Sequence, residues 1–104
     1  MKNTERVILA LVLNDDNLAP LLFQNCDEKF FEEGEHRVIY RELKNLYEGK
    51  CGWNFTSFYD NIQGRRVSVS YYSTFAESIL GVHDARSFLL QNILRIKQAR
   101  AKLE

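Results

Sequence analysis

The chain has little that would break or staple a backbone. Its 104 residues hold one proline and five glycines, so long stretches run uninterrupted, which favours helices. Two cysteines, Cys26 and Cys51, are too few for a disulfide framework and read as free thiols of a cytosolic protein. An excess of one charge is missing as well: 14 Lys and Arg stand against 14 Asp and Glu. A dedicated nucleic-acid-binding domain normally carries a basic excess, so no direct nucleic-acid partner is expected. The longest apolar run, Val7 to Leu13, falls far short of the about 20 residues that cross a bilayer. No small-residue cleavage site follows it, so neither a membrane span nor a secretory signal is expected.

What is present is an ordinary globular composition, 45% hydrophobic and 27% charged, which argues against disorder. The length suits one domain that buries about two-thirds of its unfolded surface. Asn3 or Thr4 can open a first helix that runs to about Leu13. Its unbroken apolar middle leaves no polar face, which predicts a helix at the centre of the domain. Asn14-Asp15-Asp16-Asn17 reads as a turn and cap. A second helix follows to Gln24, with Pro20 in its first turn. Asp27 caps a short turn over Glu28 to Phe31, and Gly34 breaks it. Glu35–Glu48 is the clearest helix, with Ile39, Leu43, Leu46 and Tyr47 on one stripe and Gly49 predicted as the left-handed residue at its end.

Asn54 caps a helix that carries Phe55, Phe58, Tyr59 and Ile62 and stops at Gly64. Ser68 or Ser70 opens another, with Val69, Tyr72, Ala76, Ile79 and Leu80 as its stripe and Gly81 as its end. A strand over Val67–Tyr72 is the rival reading, although one strand alone leaves its backbone unpaired. Asp84 caps a last helix with an apolar seam of Leu89, Ile93, Ile96 and Leu103. Its charges are lopsided: Arg86, Arg95, Lys97, Arg100 and Lys102 against Glu104 alone. The predicted class is therefore all-α, a compact helical bundle of about six helices ending in a long C-terminal helix. Residues 1–84 form the bundle and 85–104 begin the long helix, within one domain overall. The helical pattern is still running at Ala101-Lys102-Leu103-Glu104, so a fragment of a larger protein is expected.

Chemistry is sparse. Cys26, His36, Cys51 and His83 are the only soft ligands, and none forms a zinc-like pair. No cofactor is therefore expected. A Cys–His nucleophile has no local signature, and His36 is expected to contact its own helix start. Asp15-Asp16 reads as turn and cap, Glu32-Glu33 as a solvated acidic patch. No phosphate-binding glycine loop occurs. Asn54-Phe55-Thr56 fits the glycosylation pattern, which is empty in a cytosolic setting. The 13 aromatics read mostly as core. Arg65-Arg66 beside them is either a partner-binding edge or a charged loop. The last helix is the one charged feature that stands out. Basic amphipathic helices bind protein, nucleic acid or membrane surfaces, and otherwise are a solvated face on a core helix.

Two stretches carry a family resemblance. Thr4-Glu5-Arg6-Val7-Ile8-Leu9-Ala10-Leu11-Val12-Leu13 with Leu18-Ala19-Pro20-Leu21-Leu22 is the first. Phe30-Phe31, Glu35-His36-Arg37-Val38-Ile39-Tyr40 and Leu43, Leu46-Tyr47-Glu48-Gly49 are the second. Together they resemble the C-terminal helicase-binding domain of bacterial DnaG-type primases, closely over residues 4–49 and loosely over 53–104. The N-terminal domain of the DnaB-type replicative helicase, which shares the bundle, is the alternative. That domain usually continues with a Pro-Val/Ile-Asp stretch and a Gly-Gly-x-x-Tyr-Leu motif. Here Cys51-Gly52-Trp53-Asn54 and Ser70-Tyr71-Tyr72 stand in their places.

The resemblance implies a module that docks a DNA primase onto the hexameric replicative helicase at the replication fork and modulates both enzymes. It implies no catalytic residue in this chain; primer synthesis belongs to other modules of such a protein. The implied partner is the helicase N-terminal domain. Charge and the uncovered seam single out Arg95, Ile96, Arg100 and Leu103 as the contact residues, and self-association through the last helix is a further expectation. A small enzyme using Cys26 or Cys51 with a histidine is the third reading.

Overall fold

A computed structural model describes residues 1–103. Six α-helices follow one another: α1 (Lys2–Asn14), α2 (Ala19–Asn25), α3 (Gly34–Glu48), α4 (Phe55–Ile62), α5 (Val69–Ser78) and α6 (Ala85–Ala101). Single 3₁₀ turns at Asp16–Leu18 and Glu28–Phe30 lead into α2 and α3. No strand forms among the described residues, so Val67–Tyr72 is not a strand: Ser68 accepts from the Tyr71 amide and opens α5.

The helix without a polar middle is the axis of the bundle. Ile8 to Leu13 are all buried, and α3, α4, α5 and α6 each pack on α1. Leu89, Ile93 and Ile96 of α6 enter the same buried cluster as Ile8–Leu13, so α6 packs into the core of the bundle as far as Ile96. Phe31, Ile39, Tyr40 and Leu43 close α3 onto it, and Phe58, Ile62, Tyr72 and Phe75 bring in α4 and α5. Most aromatics are core or half-buried, as the composition suggests; Phe55 stacks on Tyr72 at 4.5 Å.

Side chains cap the two 3₁₀ turns and helices α4 to α6, whereas α1, α2 and α3 open without one; α1 starts at Lys2, so neither Asn3 nor Thr4 caps it. Asp15 accepts from the Asn17 amide and Asp27 from the Phe30 amide. Asn54 and Ser57 form a reciprocal capping box, and Asp84 accepts from the Ser87 amide. Asp16 reaches across to the Trp53 amide at 3.2 Å, and the Trp53 indole donates to the Val12 carbonyl at 3.0 Å. The α3–α4 loop is thereby tied to the end of α1.

Three further expectations are corrected. The left-handed residue after α3 is Lys50 (φ 57°), not Gly49 (φ −80°). The Lys50 amide bonds to Tyr47 and the Cys51 amide to Leu46, which puts the reversal one residue later than Gly49. Gly49 is instead close to the helix: a Cβ there would stand 3.3 Å from the Asn45 carbonyl. Val69 and Leu80 leave the predicted stripe, because Tyr72 and Phe75 set the inward face of α5 and the helix ends at Ser78. Leu103 lies past the end of α6 and is 88% exposed, so the seam stops at Ile96.

A non-glycine residue in the left-handed region costs roughly 1 kcal/mol. Lys50→Gly is therefore expected to raise unfolding stability by about 1 kcal/mol in urea melts. A loss of stability would contradict the geometry at this turn.

Candidate functional site

Two features are neither plain core nor plain surface: a buried polar line at the centre, and the outer face of α6. The polar line begins with Glu5, the one carboxylate on the axis helix that is fully buried. Its Oε1 lies 2.8 Å from Nδ1 of His36, which is also fully buried. Its Oε2 accepts from the Glu32 amide at 3.1 Å. On the far side of the ring, Nε2 of His36 lies 2.6 Å from the Tyr71 hydroxyl. The Arg100 guanidinium stands 3.9 Å from Glu5 Oε2, lies over the Phe30 ring, and donates to the Phe30 carbonyl. α1, α3, α5 and α6 thus meet around one carboxyl group.

Burial alone would raise the Glu5 pKa, but the hydrogen bond and charge of His36 and the backbone donors outweigh it, and the net shift is downward. The Tyr71 phenol goes the other way, pushed up to about 12 mainly by burial. His36 Nδ1–H donates to the Glu5 carboxylate, and the hydrogen bond between Nε2 and the Tyr71 hydroxyl runs in the direction that the imidazole's protonation sets. His36 thus lies in the first turn of α3 but does not contact its own helix start; it is the strut between α1 and α5.

The line has the order acid, imidazole, hydroxyl that activates nucleophiles, yet it does not suit that work. A nucleophile needs a lowered pKa and an open cleft. Tyr71 has a raised pKa, and the clefts around Gly34–Arg66 and Ser78–Gln91 are lined by other residues. The Cys26 thiol is buried and pushed up to about 12 chiefly by desolvation, opposite to the direction that activates a thiol. Cys51 is exposed and points back to the Gly49 carbonyl. His83 lies in the loop before α6. Among the described residues no three His, Cys, Asp or Glu side chains gather as a metal set.

The contact residues expected on the last helix divide. Arg95 is exposed on α6 and Leu103 just beyond its end. Ile96 is fully buried against the bundle and is removed from any contact surface. Arg100 is engaged inside the molecule, with Phe30, Glu5 and Glu32 at 3.4 Å. Charge reversal at Arg100 would set a third carboxylate beside Glu5 and Glu32 and disturb the fold.

Sequence reasoning missed Leu90 and Leu94. They are 39% and 54% exposed on α6, one helical turn apart. At 3.6 residues per turn they share the outer face with Ala101, with Arg86 and Lys97 along one edge. Gln91 and Gln98 flank the other edge, and Arg95 lies beyond them. The signal was available: leucines at i and i+4 that do not belong to the Leu89–Ile93–Ile96 seam. The seam drew attention because it fits one face, and an apolar pair outside it weakens rather than strengthens the amphipathic pattern. Arg65 pairs with Glu42 at 3.1 Å, and Arg66 lines a cleft of about 590 Å³ with Arg37, Arg41 and Glu35. That stretch reads as a charged loop rather than an aromatic partner edge.

Comparison of the chain with family models, curated proteins and solved structures finds no match in any of the three.

Because the folded pKa of Glu5 lies below its ordinary 4.5, its stabilising contribution is complete above that value and is lost as pH falls through the lower folded value. Glu5→Gln is expected to cost on the order of 3–5 kcal/mol at neutral pH, since it breaks one partner of a buried pair. The gap between the two proteins should narrow as pH falls below about 4.5 in parallel urea melts. A gap that stays constant down to about pH 3 would contradict an ionised Glu5.

Proposed function

We propose that the chain is a protein-docking module, and that it is the domain by which a DnaG-type primase engages the hexameric replicative helicase. The observation that carries the docking reading is the double role of α6. One face is locked to α1 by Leu89, Ile93, Ile96 and the Arg100 anchor. The opposite face holds Leu90 and Leu94 out to solvent on a helix that cannot reorient without breaking the core. A preorganised helix with exposed apolar anchors and cationic flanks suits recognition of a protein surface. The residue patterns over 4–49 supply the identity of the partner, the helicase N-terminal domain. In this reading the chain makes no primer itself and works in the bacterial cytoplasm at the replication fork.

One observation favours the second reading, the N-terminal domain of the helicase. The resemblance to the primase domain implies a long helix that leads out of the bundle, whereas α6 lies along α1 as far as Arg100. The two readings differ in what the chain binds. Calorimetric titration of the chain with the replicative helicase's N-terminal domain, with light scattering of both, separates them. The primase reading expects a monomer that binds at micromolar strength or tighter, about −8 kcal/mol. Stable self-association without helicase binding would replace it with the helicase reading. A monomer that does not bind would overturn both.

A further inference from the structure

We propose that the segment that seats on the outer face of α6 is an acidic amphipathic helix of the partner protein. The inference rests on the docking reading and adds the chemistry of the partner. Leu90 and Leu94 form an apolar ridge one turn long, the size that a single leucine-bearing helix covers with residues at i, i+3 and i+4. α6 holds no acidic residue between Ala85 and Ala101, and no ion pair joins Arg86, Arg95 or Lys97 to another side chain among the described residues. Beside Lys97 a shallow groove of about 320 Å³ runs toward the Glu28–Phe30 turn, lined by the ammonium groups of Lys29 and Lys97 and the carboxylate of Asp27, with Arg100, already paired with Glu5 and Glu32, at its wall. Cations therefore border the ridge on the Arg86–Lys97 edge and continue into the groove. A partner helix with leucines on one face and Glu or Asp beside them matches both features.

A second copy of this chain fits poorly, because pairing two α6 helices sets like charges against each other with no carboxylate on either. An anionic membrane surface fits poorly too. Interfacial helices sink bulky apolar anchors into the headgroup region, and the outer face of α6 offers two leucines and no aromatic ring.

The probe is a synthetic helical peptide of about 20 residues, long enough to hold a helix, with leucines at i, i+3, i+4 and i+7 flanked by glutamates. It is titrated into the ¹⁵N-labelled chain, with parallel titrations of the Glu-to-Gln and Glu-to-Lys peptides and of phosphatidylglycerol vesicles. The acidic peptide is expected to shift the amides of Leu90, Leu94 and Lys97 and to bind at least tenfold more tightly than the glutamine peptide. Its binding should weaken with salt and fall more than tenfold in Leu90→Asp and in Leu94→Asp. Both positions are exposed, and circular dichroism checks that the variants stay folded. Equal binding of the three peptides, shifts outside α6, or vesicles that perturb these amides while the acidic peptide does not would overturn the proposal. So would the absence of peptide binding. The helicase N-terminal domain is titrated against the same variants. Helicase binding without peptide binding removes this inference and leaves the docking reading standing; peptide binding without helicase binding removes the primase reading.

Discussion

A carboxylate with no water around it must find its partners inside the protein, and around Glu5 they come from everywhere in the chain. The Glu32 amide precedes α3, His36 is in its first turn, and Arg100 is in the last turn of α6. Tyr71 of α5 completes the line through the imidazole. Left unpaired, such a charge would cost several kcal/mol, so the bundle is consistent only when all these segments arrive together. Apolar packing buries α1 and sets which face each surrounding helix turns inward. The polar line adds directional contacts, since a slip of one residue on α3 or α5 would move His36 or Tyr71 off its partner.

These contacts have a consequence at the surface. Arg100 ties the last turn of α6 to the Phe30 carbonyl while Leu89, Ile93 and Ile96 fill the core beside α1. The rotation of α6 about its axis is then fixed, and with it the outward position of Leu90 and Leu94. A helix held in this way presents its anchors without an ordering cost at binding. The polar centre and the exposed ridge are thus two ends of one arrangement: the first helps to set where the second points.

How much of this was legible depended on whether the cause was local. The central helix was readable because Val7–Leu13 has no polar face. The caps at Asp27, Asn54 and Asp84 were readable because each acts within three residues, and Ser68 was one of the two serines that could open α5. The all-α class followed from the scarcity of Pro and Gly. The end of α3 at Glu48 was legible, but the left-handed residue after it was placed one position early, at Gly49, since only the backbone pairing of Lys50 and Cys51 reveals the reversal. The role of Glu5 was hidden: a glutamate in the first turn of a helix looks like a dipole partner, and its real partners are distant in the chain. Ile96 is legible only as part of a seam and Arg100 only as a charge, and neither pattern says whether the core or a partner covers the residue. Leu90 and Leu94 were overlooked for the same reason in reverse.

The central claim is that Glu5 is ionised at the crossing of the helices and held there by its buried partners. The direct measurement is the ¹³C shift of the Glu5 carboxyl carbon in the folded protein, followed from neutral pH downward. The account predicts a carboxylate signal that persists below the ordinary glutamate value of 4.5, until the fold itself is lost. A midpoint at or above that value, with the protein still folded, would contradict it: Glu5 would then be a buried acid tolerated by the core rather than the charge that organises it.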